Sequence, residues 1–223
     1  MKAAPIFEVY EQQKGKRRYL YTKSIAPGYD VYGEKVFKEG SEEYREWDPS
    51  KSKLCAAILA GAANVFIRKN DWVLYLGSST GTTVSHVSDM VGKKGLIFAV
   101  DSAPIVTREL VFLSEQRNNI APILADAHHP ESYEHRISQV DVLYQDVSQK
   151  DQVDIFLKNI QLFLKKGGYA ILAVKARSID VVKNPKEIYK KVYEQIEQQG
   201  LKIVDKRQLE PWQKDHLILF CKY

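Results

Sequence analysis

The sequence is poor in cysteine and contains neither a long apolar run nor a low-complexity tail. Only Cys55 and Cys221 occur among 223 residues, which argues against a disulfide framework and favours a reducing compartment. A helix that spans a bilayer needs about 18 apolar residues, and residues 54–67 are interrupted by Gly61 and Asn64. The first ten residues lack the apolar centre of a secretory signal. We therefore expect a chain without a membrane segment or a secretory signal.

The excess of positive charge is also small. The 33 Lys and Arg residues outnumber the 28 Asp and Glu residues, which gives a formal net charge of +5. This excess permits contact with a polyanion but is small for strong unaided binding of RNA. The length suits one sizeable α/β domain with a small appendage.

The N-terminal part has the pattern of β-strands. Residues 7–10 alternate between polar and apolar, and residues 18–22 follow after a polar turn at Gly15. This arrangement predicts a β-hairpin, and residues 31–37 predict a further strand. We expect residues 1–47 to form a small β-rich domain and residues 48–223 to form a second, larger domain.

The pattern changes at Asp48, which can cap a helix with Pro49 in its first turn. Apolar spacing predicts that this helix covers residues 54–68. Strands are then predicted at 72–76, 96–100, 121–125, 140–144, 169–174, 203–209 and 217–223, and helices at 82–91, 108–116, 152–164 and 185–199. This alternation predicts an α/β fold with a mostly parallel sheet, and the last strand pair predicts one antiparallel strand near the sheet edge.

The residues that follow each strand suggest a ligand site, because open α/β sheets bind ligands at the carboxyl ends of their strands. Residues 77–83 form a glycine-containing loop before a helix, and Asp101, Asp126 and Asp146 follow three further strands. Three carboxylates with such a loop indicate a ligand that carries an adenosine. The loop lacks the fingerprint for a pyrophosphate, which favours S-adenosylmethionine over the competing ligand NAD. No metal is expected, because His128, His129 and His135 share one polar loop with no cysteine nearby.

Several blocks of the sequence resemble the fibrillarin family in order and spacing. They cover residues 47–54, 75–89, 117–120, 126–127, 141–149, 175–180 and 214–216. The resemblance implies a Rossmann-like class I methyltransferase sheet behind the N-terminal domain. It also implies an RNA ribose 2′-O-methyltransferase that uses S-adenosylmethionine and is guided by box C/D RNA to target nucleotides in rRNA and tRNA. The expected partners are a Nop-domain scaffold protein, a kink-turn-binding ribosomal-type protein, the guide RNA and the target RNA. The sequence lacks the glycine/arginine-rich tail of the eukaryotic branch and therefore resembles the archaeal branch, which implies a cytoplasmic setting.

The same resemblance assigns site residues. The catalytic set that it implies is Lys53, Asp146, Lys175 and His216. The cofactor contacts that it implies are Gly77, Gly81, Thr82, Thr83, Asp101, Ser102, Asp126, Ala127, Asp146, Val147, Ser148 and Gln149. The chain departs from the family pattern at Asp101-Ser102, where Glu-Phe is expected, and at His128-His129, where an Arg is expected.

Methyl transfer to a ribose hydroxyl requires alignment of a weak nucleophile and an acceptor for its proton. Asp146 could orient the hydroxyl and pair with Lys175, with a neutral Lys175 taking the proton. Alternatively, Asp146 is the base and Lys175 stabilises charge. Two other functions remain open at this point, namely a non-catalytic subunit of the same particle and an oxidoreductase on a similar sheet.

Overall fold

The computed structural model describes residues 1–223 and contains two β-sheets. The first sheet is antiparallel and consists of β1 (Lys2–Ala3), β2 (Val9–Lys14), β3 (Arg17–Lys23), β4 (Val36–Glu39) and β5 (Glu42–Trp47). Its strand order is β1-β2-β3-β5-β4, and β2 and β3 form the predicted hairpin around Gly15, whose φ is +60°.

The prediction of a strand over residues 31–37 was wrong at its beginning. The Glu34 carboxylate accepts hydrogen bonds from the backbone N–H groups of Val31 and Tyr32, which folds this segment into a turn. The strand therefore starts at Val36. Sequence reasoning also missed β5, whose acidic residues hide a strand that buries Tyr44 and Trp47.

The second sheet has seven strands and is mostly parallel. Its strands are β6 (Trp72–Leu76), β7 (Leu96–Asp101), β8 (Ile120–Leu124), β9 (Val140–Gln145), β10 (Leu164–Lys175), β11 (Lys202–Gln208) and β12 (His216–Lys222). The strand order is β11-β12-β10-β9-β6-β7-β8, and only β12 runs antiparallel to its neighbours. The predicted α/β fold with one antiparallel strand near the edge is confirmed.

Six helices accompany the sheets, and several agree with the prediction to within a few residues. They are α1 (Lys53–Leu59), α2 (Thr82–Val91), α3 (Pro104–Gln116), α4 (Gln152–Phe163), α5 (Ala176–Ile179) and α6 (Pro185–Gln198). None of them is long and apolar enough to cross a bilayer.

The first helix is much shorter than the predicted 54–68. The N–H of Gly61 donates to Ile58 and the N–H of Ala62 donates to Ala57, a pairing that terminates helices with a left-handed glycine. Gly61 has a φ of +91°. The predicted cap was also wrong, because Ser52 caps α1 by accepting from the N–H of Cys55. The Asp48 carboxylate instead accepts a hydrogen bond from the backbone N–H of Ser50 and stabilises a local turn.

Apolar side chains cover both faces of the large sheet. Along β6, Val73 and Tyr75 join one apolar cluster, whereas Leu74 and Leu76 join the other, as the two-residue period of a strand requires. The first cluster includes α1, α2 and residues of β2, β3 and β5; the second includes α4 and α6. The small antiparallel sheet therefore packs on α1 and α2, and the division of the chain after residue 47 remains a prediction.

A buried polar cluster fixes α2 against the antiparallel sheet. Asp89 on α2 accepts from Arg45 on β5 at 2.8 Å and from Arg117 at 2.6 Å, and all three side chains are at most 1 % exposed. Glu34 pairs with the other side of Arg45. Burial lowers the pKa of Arg45, but its attraction to Asp89 and Glu34 outweighs burial and leaves the pKa above the usual value. Because α2 begins at the glycine loop, this cluster also positions that loop.

Candidate active site

The glycine loop runs from β6 into α2 and lies against the end of β9. Gly77 has a φ of +78°, and a Cβ at this position would approach the carbonyl oxygen of Asp146 to 2.5 Å. Only a residue without a side chain permits both this backbone conformation and this approach. The loop and the segment after β9 are therefore held in contact, and they form two walls of one cavity.

Replacement of Gly77 by alanine should destabilise the protein strongly. The backbone conformation alone costs a residue with a side chain about 1–3 kcal/mol, and the overlap with Asp146 adds to this cost. Gly200 is a matched control, because its φ is +81° and nothing lies within 4 Å of its missing Cβ. In urea unfolding, we expect Gly77→Ala to lose at least twice the free energy that Gly200→Ala loses. Equal losses would contradict the close approach.

A cavity of about 230 Å³ opens at the carboxyl edge of the large sheet, where β6, β7, β8 and β9 end. Nine of the predicted cofactor residues line it: Gly77, Asp101, Ser102, Asp126, Ala127, Asp146, Val147, Ser148 and Gln149. The three carboxylates predicted from separate strands thus meet at one cavity. Residues after parallel strands converge because those strands end at the same edge.

Three predicted cofactor residues lie outside the cavity wall. A Cβ on Gly81 would overlap Leu113 of α3, so this glycine serves packing and the start of α2. Thr83 is buried and donates its hydroxyl hydrogen to Ser52 at 3.0 Å, which ties α2 to the start of α1. The carbonyl of Thr82 accepts from Ser85 within the same helix.

The cavity also includes residues that sequence reasoning did not assign as cofactor contacts, namely Ser79, Val100, Ala125, His128 and Ile155. Ser79 lies in the glycine loop, so its position along the chain could have suggested it. Ile155 comes from α4, and nothing in its apolar spacing distinguishes it from a core residue. Tertiary packing alone brings it to the cavity.

The carboxylates of the cavity are held by backbone and side-chain donors. Asp101 accepts from the N–H of Ser79 at 2.8 Å and from that of Ala103 at 3.0 Å. Asp126 accepts from the N–H of His128 at 3.0 Å and contacts its ring at 2.7 Å. These hydrogen bonds lower the pKa of Asp126 below its usual value.

His128 bridges two acidic segments at the mouth of this cavity. Its other ring nitrogen lies 3.2 Å from Asp151, which precedes α4. The hydrogen bond to Asp126, aided by Asp151, raises the pKa of His128 despite partial burial. The imidazole therefore lies between two carboxylates that favour its protonated form, in the loop where the family pattern led us to expect an arginine.

The four predicted catalytic residues converge beside the cavity. Lys53 at the start of α1 pairs with both carboxylate oxygens of Asp146, at 2.8 and 2.9 Å. Lys175 and His216 face each other in the register of β10 and β12. The sequence hypothesis that Asp146 pairs with Lys175 was wrong, because Lys53 takes that place and Lys175 has no carboxylate within 4 Å. Asp146 alone of the four lines the cofactor cavity, so it joins the two halves of the site.

The ring of His216 is held in one orientation. Nδ1 lies 2.7 Å from the carbonyl oxygen of Lys214, and a carbonyl can only accept, so Nδ1 carries a proton. Burial lowers the pKa of His216, and the positive charges of Lys53 and Lys175 lower it further. The hydrogen bond to Lys214 and the negative charge of Asp146 raise the pKa but do not offset this decrease. A neutral ring with its proton on Nδ1 leaves the Nε2 lone pair as an acceptor.

The backbone at Lys175 is fixed by a buried glutamine. The side-chain oxygen of Gln152 in α4 accepts from the backbone N–H of Lys175 at 3.2 Å. The backbone carbonyl of Gln152 accepts from the side-chain amide of Gln145 in β9. The ends of β9 and β10 are therefore linked through α4. Asp146 directly follows β9, and Lys175 is the last residue of β10. The link through α4 therefore sets the spacing between Asp146 and Lys175.

An open parallel sheet with one reversed strand, a cavity at its carboxyl edge and a Lys–Asp pair beside it defines a Rossmann-like protein of the methyltransferase class. The family model described as fibrillarin matches residues 2–223, and the chain belongs to the fibrillarin family.

Known proteins similar to this chain include a curated relative and two solved structures. The fibrillarin-like rRNA/tRNA 2′-O-methyltransferase of Methanocaldococcus jannaschii is 49% identical over 220 residues, which cover 98% of this chain and 95% of that protein. Aeropyrum pernix fibrillarin, in complex with natively bound S-adenosyl-L-methionine, superposes with a TM-score of 0.91 at 41% identity and with coverage of 99% and 96%. A fibrillarin/Nop5p complex contains a chain with a TM-score of 0.87, 40% identity and coverage of 98% and 99%.

Proposed function

We propose that this protein is an RNA ribose 2′-O-methyltransferase that takes its methyl group from S-adenosylmethionine. The observation that carries the proposal is the position of Asp146, which lines the cofactor cavity on one side and pairs with Lys53 on the other. A methyl donor in the cavity and a hydroxyl beside the Lys–Asp pair would then meet at one carboxylate. The names of the full-length relatives support this activity.

The chemistry of the cavity suits this cofactor better than a dinucleotide. Asp101, Asp126 and Asp146 line it, and His128 is its single basic side chain. Carboxylates can accept hydrogen bonds from ribose hydroxyls and amino groups, and they attract a sulfonium. A pyrophosphate would face three like charges. The cavity therefore disfavours the oxidoreductase alternative.

The residue roles follow from this placement. The bound cofactor supplies an electrophilic methyl group. Asp146, held by Lys53, orients the 2′-hydroxyl of the target ribose, and Lys175, as the neutral amine, accepts the hydroxyl proton. His216 offers Nε2 as a further acceptor. In the cofactor half, the nine predicted residues that line the cavity hold the cofactor, while Gly81, Thr82 and Thr83 act through the start of α2.

We also infer that the protein works in a box C/D ribonucleoprotein particle. A Nop-domain scaffold protein is supported by the fibrillarin/Nop5p complex. The kink-turn-binding ribosomal-type protein, the guide RNA and the target rRNA or tRNA belong to the same proposal, as does a cytoplasmic setting in an archaeon. Residues 1–47 act as an N-terminal domain that braces the methyltransferase domain, residues 48–223.

Calorimetric titration with S-adenosylmethionine tests the cofactor site. We expect saturable binding to the wild type and about 10- to 100-fold weaker binding to Asp126→Ala, since a hydrogen bond to a charged group contributes about 1.5–3 kcal/mol. Asp30→Ala, an exposed aspartate far along the chain from the cavity residues, should bind like the wild type. NADH should not bind. Absence of S-adenosylmethionine binding, both alone and with the scaffold protein present, would contradict the proposal.

A further inference from the structure

Two walls of the cofactor cavity are not joined by the hydrogen bonds of the large sheet. One wall is the loop after β8, residues 126–128, and the other is the loop after β9, residues 147–149. β8 is an edge strand, and β6 and β7 separate it from β9. In the buried interior, Asn159 of α4 holds the first wall by donating to the carbonyl of Ala127 at 2.9 Å. At the mouth of the cavity, a second tie is made by the side chain of His128.

Both ring nitrogens of His128 face carboxylates. Nδ1 lies 2.7 Å from Asp126, which lines the cavity, and Nε2 lies 3.2 Å from Asp151, which directly precedes α4. An ionised carboxylate can only accept hydrogen bonds, so both contacts form only when both nitrogens carry protons. A neutral ring has a single N–H and would place a lone pair against one of the two carboxylates. The bridge therefore requires the imidazolium.

The charges around the ring favour this form. The hydrogen bond to Asp126, followed by that to Asp151, raises the pKa of His128 against the effect of partial burial. The side chain is 31% exposed, so solvent weakens each contact without removing it. The other charged or titratable groups around it are Asp101 and Asp146 across the cavity, Lys150 beside Asp151 along the chain, and His129, whose ring centre is 6.5 Å away.

We propose that His128 is a positioning residue for the cofactor, because its imidazolium closes the mouth of the cavity by joining Asp126 to the start of α4. Loss of the proton opens the bridge at one end, and the loop that carries Asp126 must then be ordered at the expense of binding. The affinity for S-adenosylmethionine should therefore fall as the pH rises above about 6.5, where an ordinary histidine loses its proton. The identity of the cofactor rests on the proposed function.

The test measures cofactor affinity of the wild type and of His128→Gln by calorimetry between about pH 6 and about pH 9, the range in which a histidine changes its charge. The readout is the ratio of the two affinities, because titration of the cofactor and of every other group enters both proteins alike. We expect the wild type to bind about 2- to 5-fold more tightly at the acid end, as for an exposed ion pair, and equally at the alkaline end. A ratio that does not change with pH would overturn the proposal.

His129→Gln is the matched control, because it removes the neighbouring imidazole, which contacts Glu131 and does not line the cavity. It should keep the pH profile of the wild type. A profile equal to that of His128→Gln would contradict the role of the bridge.

Asp151→Asn tests the bridge from its other end. An asparagine amide can accept from a protonated Nε2 or donate to a neutral one, so the contact no longer depends on the proton. Asparagine also suits the position before a helix as well as aspartate does. We expect the pH dependence of cofactor affinity to shrink toward that of His128→Gln. An unchanged profile would show that Asp151 takes no part and would overturn the bridge.

NMR titration of the His128 imidazole in the cofactor-free protein reports on the bridge alone. Its midpoint should lie above about 6.5 in the wild type and should fall in Asp151→Asn, and a midpoint at or below 6.5 would overturn the proposal. Failure of every variant to bind S-adenosylmethionine would refute the proposed function together with this role. Binding by the wild type without the expected pH dependence would refute the role of His128 alone. Thermal unfolding reports on the folding of each variant.

Discussion

Replacement of Lys175 by alanine should slow methyl transfer about 100- to 10,000-fold, the range that proton transfer by a positioned side chain contributes. The affinity for S-adenosylmethionine should stay within a few fold of the wild type. Lys175 does not line the cofactor cavity, so its loss removes no wall of that cavity. Single-turnover methylation of a target RNA in the assembled particle, together with calorimetry of cofactor binding, measures the two effects separately.

Lys175→Arg distinguishes the two hypotheses about which residue, Lys175 or Asp146, accepts the hydroxyl proton. Arginine keeps the positive charge but cannot give up its own proton to become an acceptor. Both oxygens of Asp146 already accept from Lys53, whereas Lys175 has no ion-pair partner, so we assign the proton to Lys175. Arginine should then be as inactive as alanine. A rate near that of the wild type would assign the proton to Asp146 and leave Lys175 as a stabiliser of charge.

The sequence predicted the large sheet well because its strands are buried on both faces. A short continuous apolar run such as residues 72–76 is compatible with few structures other than a buried strand, and β6 covers the same residues in the structure. The same logic located the three cavity aspartates, since a residue that follows a parallel strand can lie only at the carboxyl edge.

The predictions that were wrong concern features that are determined by contacts between distant segments or by local hydrogen bonds. Apolar spacing continued past Leu59, but the conformation of Gly61 ended the helix, while Val65 and Ile67 are still buried in a segment without regular secondary structure. The partner of Asp146 could not be chosen from sequence, because Lys53 and Lys175 are both plausible at this edge. Their distances from the carboxylate depend on where tertiary packing places the start of α1.

The second large effect is expected at Asp89, far from the chemistry. Asp89→Asn keeps the shape of the side chain but removes the charge that contacts both buried arginines, of which Arg45 alone has a second partner in Glu34. Removal of one partner from a buried ion pair costs about 3–5 kcal/mol, because it leaves an uncompensated charge. For a domain of this size, we expect a fall in melting temperature of about 6–20 °C. Circular dichroism melts measure it, and Glu194→Gln, in the exposed pair with Lys190, should change stability by at most about 1 kcal/mol.

A double variant tests why Asp89 matters. If the cost of Asp89→Asn arises from stranded positive charge, then Arg117→Met in the same chain should recover part of the loss, because Arg45 keeps Glu34 and Arg117 is the cation left without a carboxylate. Thr22 and the N–H of Ile25 also donate to Asp89, so a hydrogen-bond role predicts the opposite, namely losses that add. Additive losses would contradict the charge-balance account. Recovery would establish that α2, and with it the glycine loop at its start, is held against the antiparallel sheet by a balanced set of buried charges.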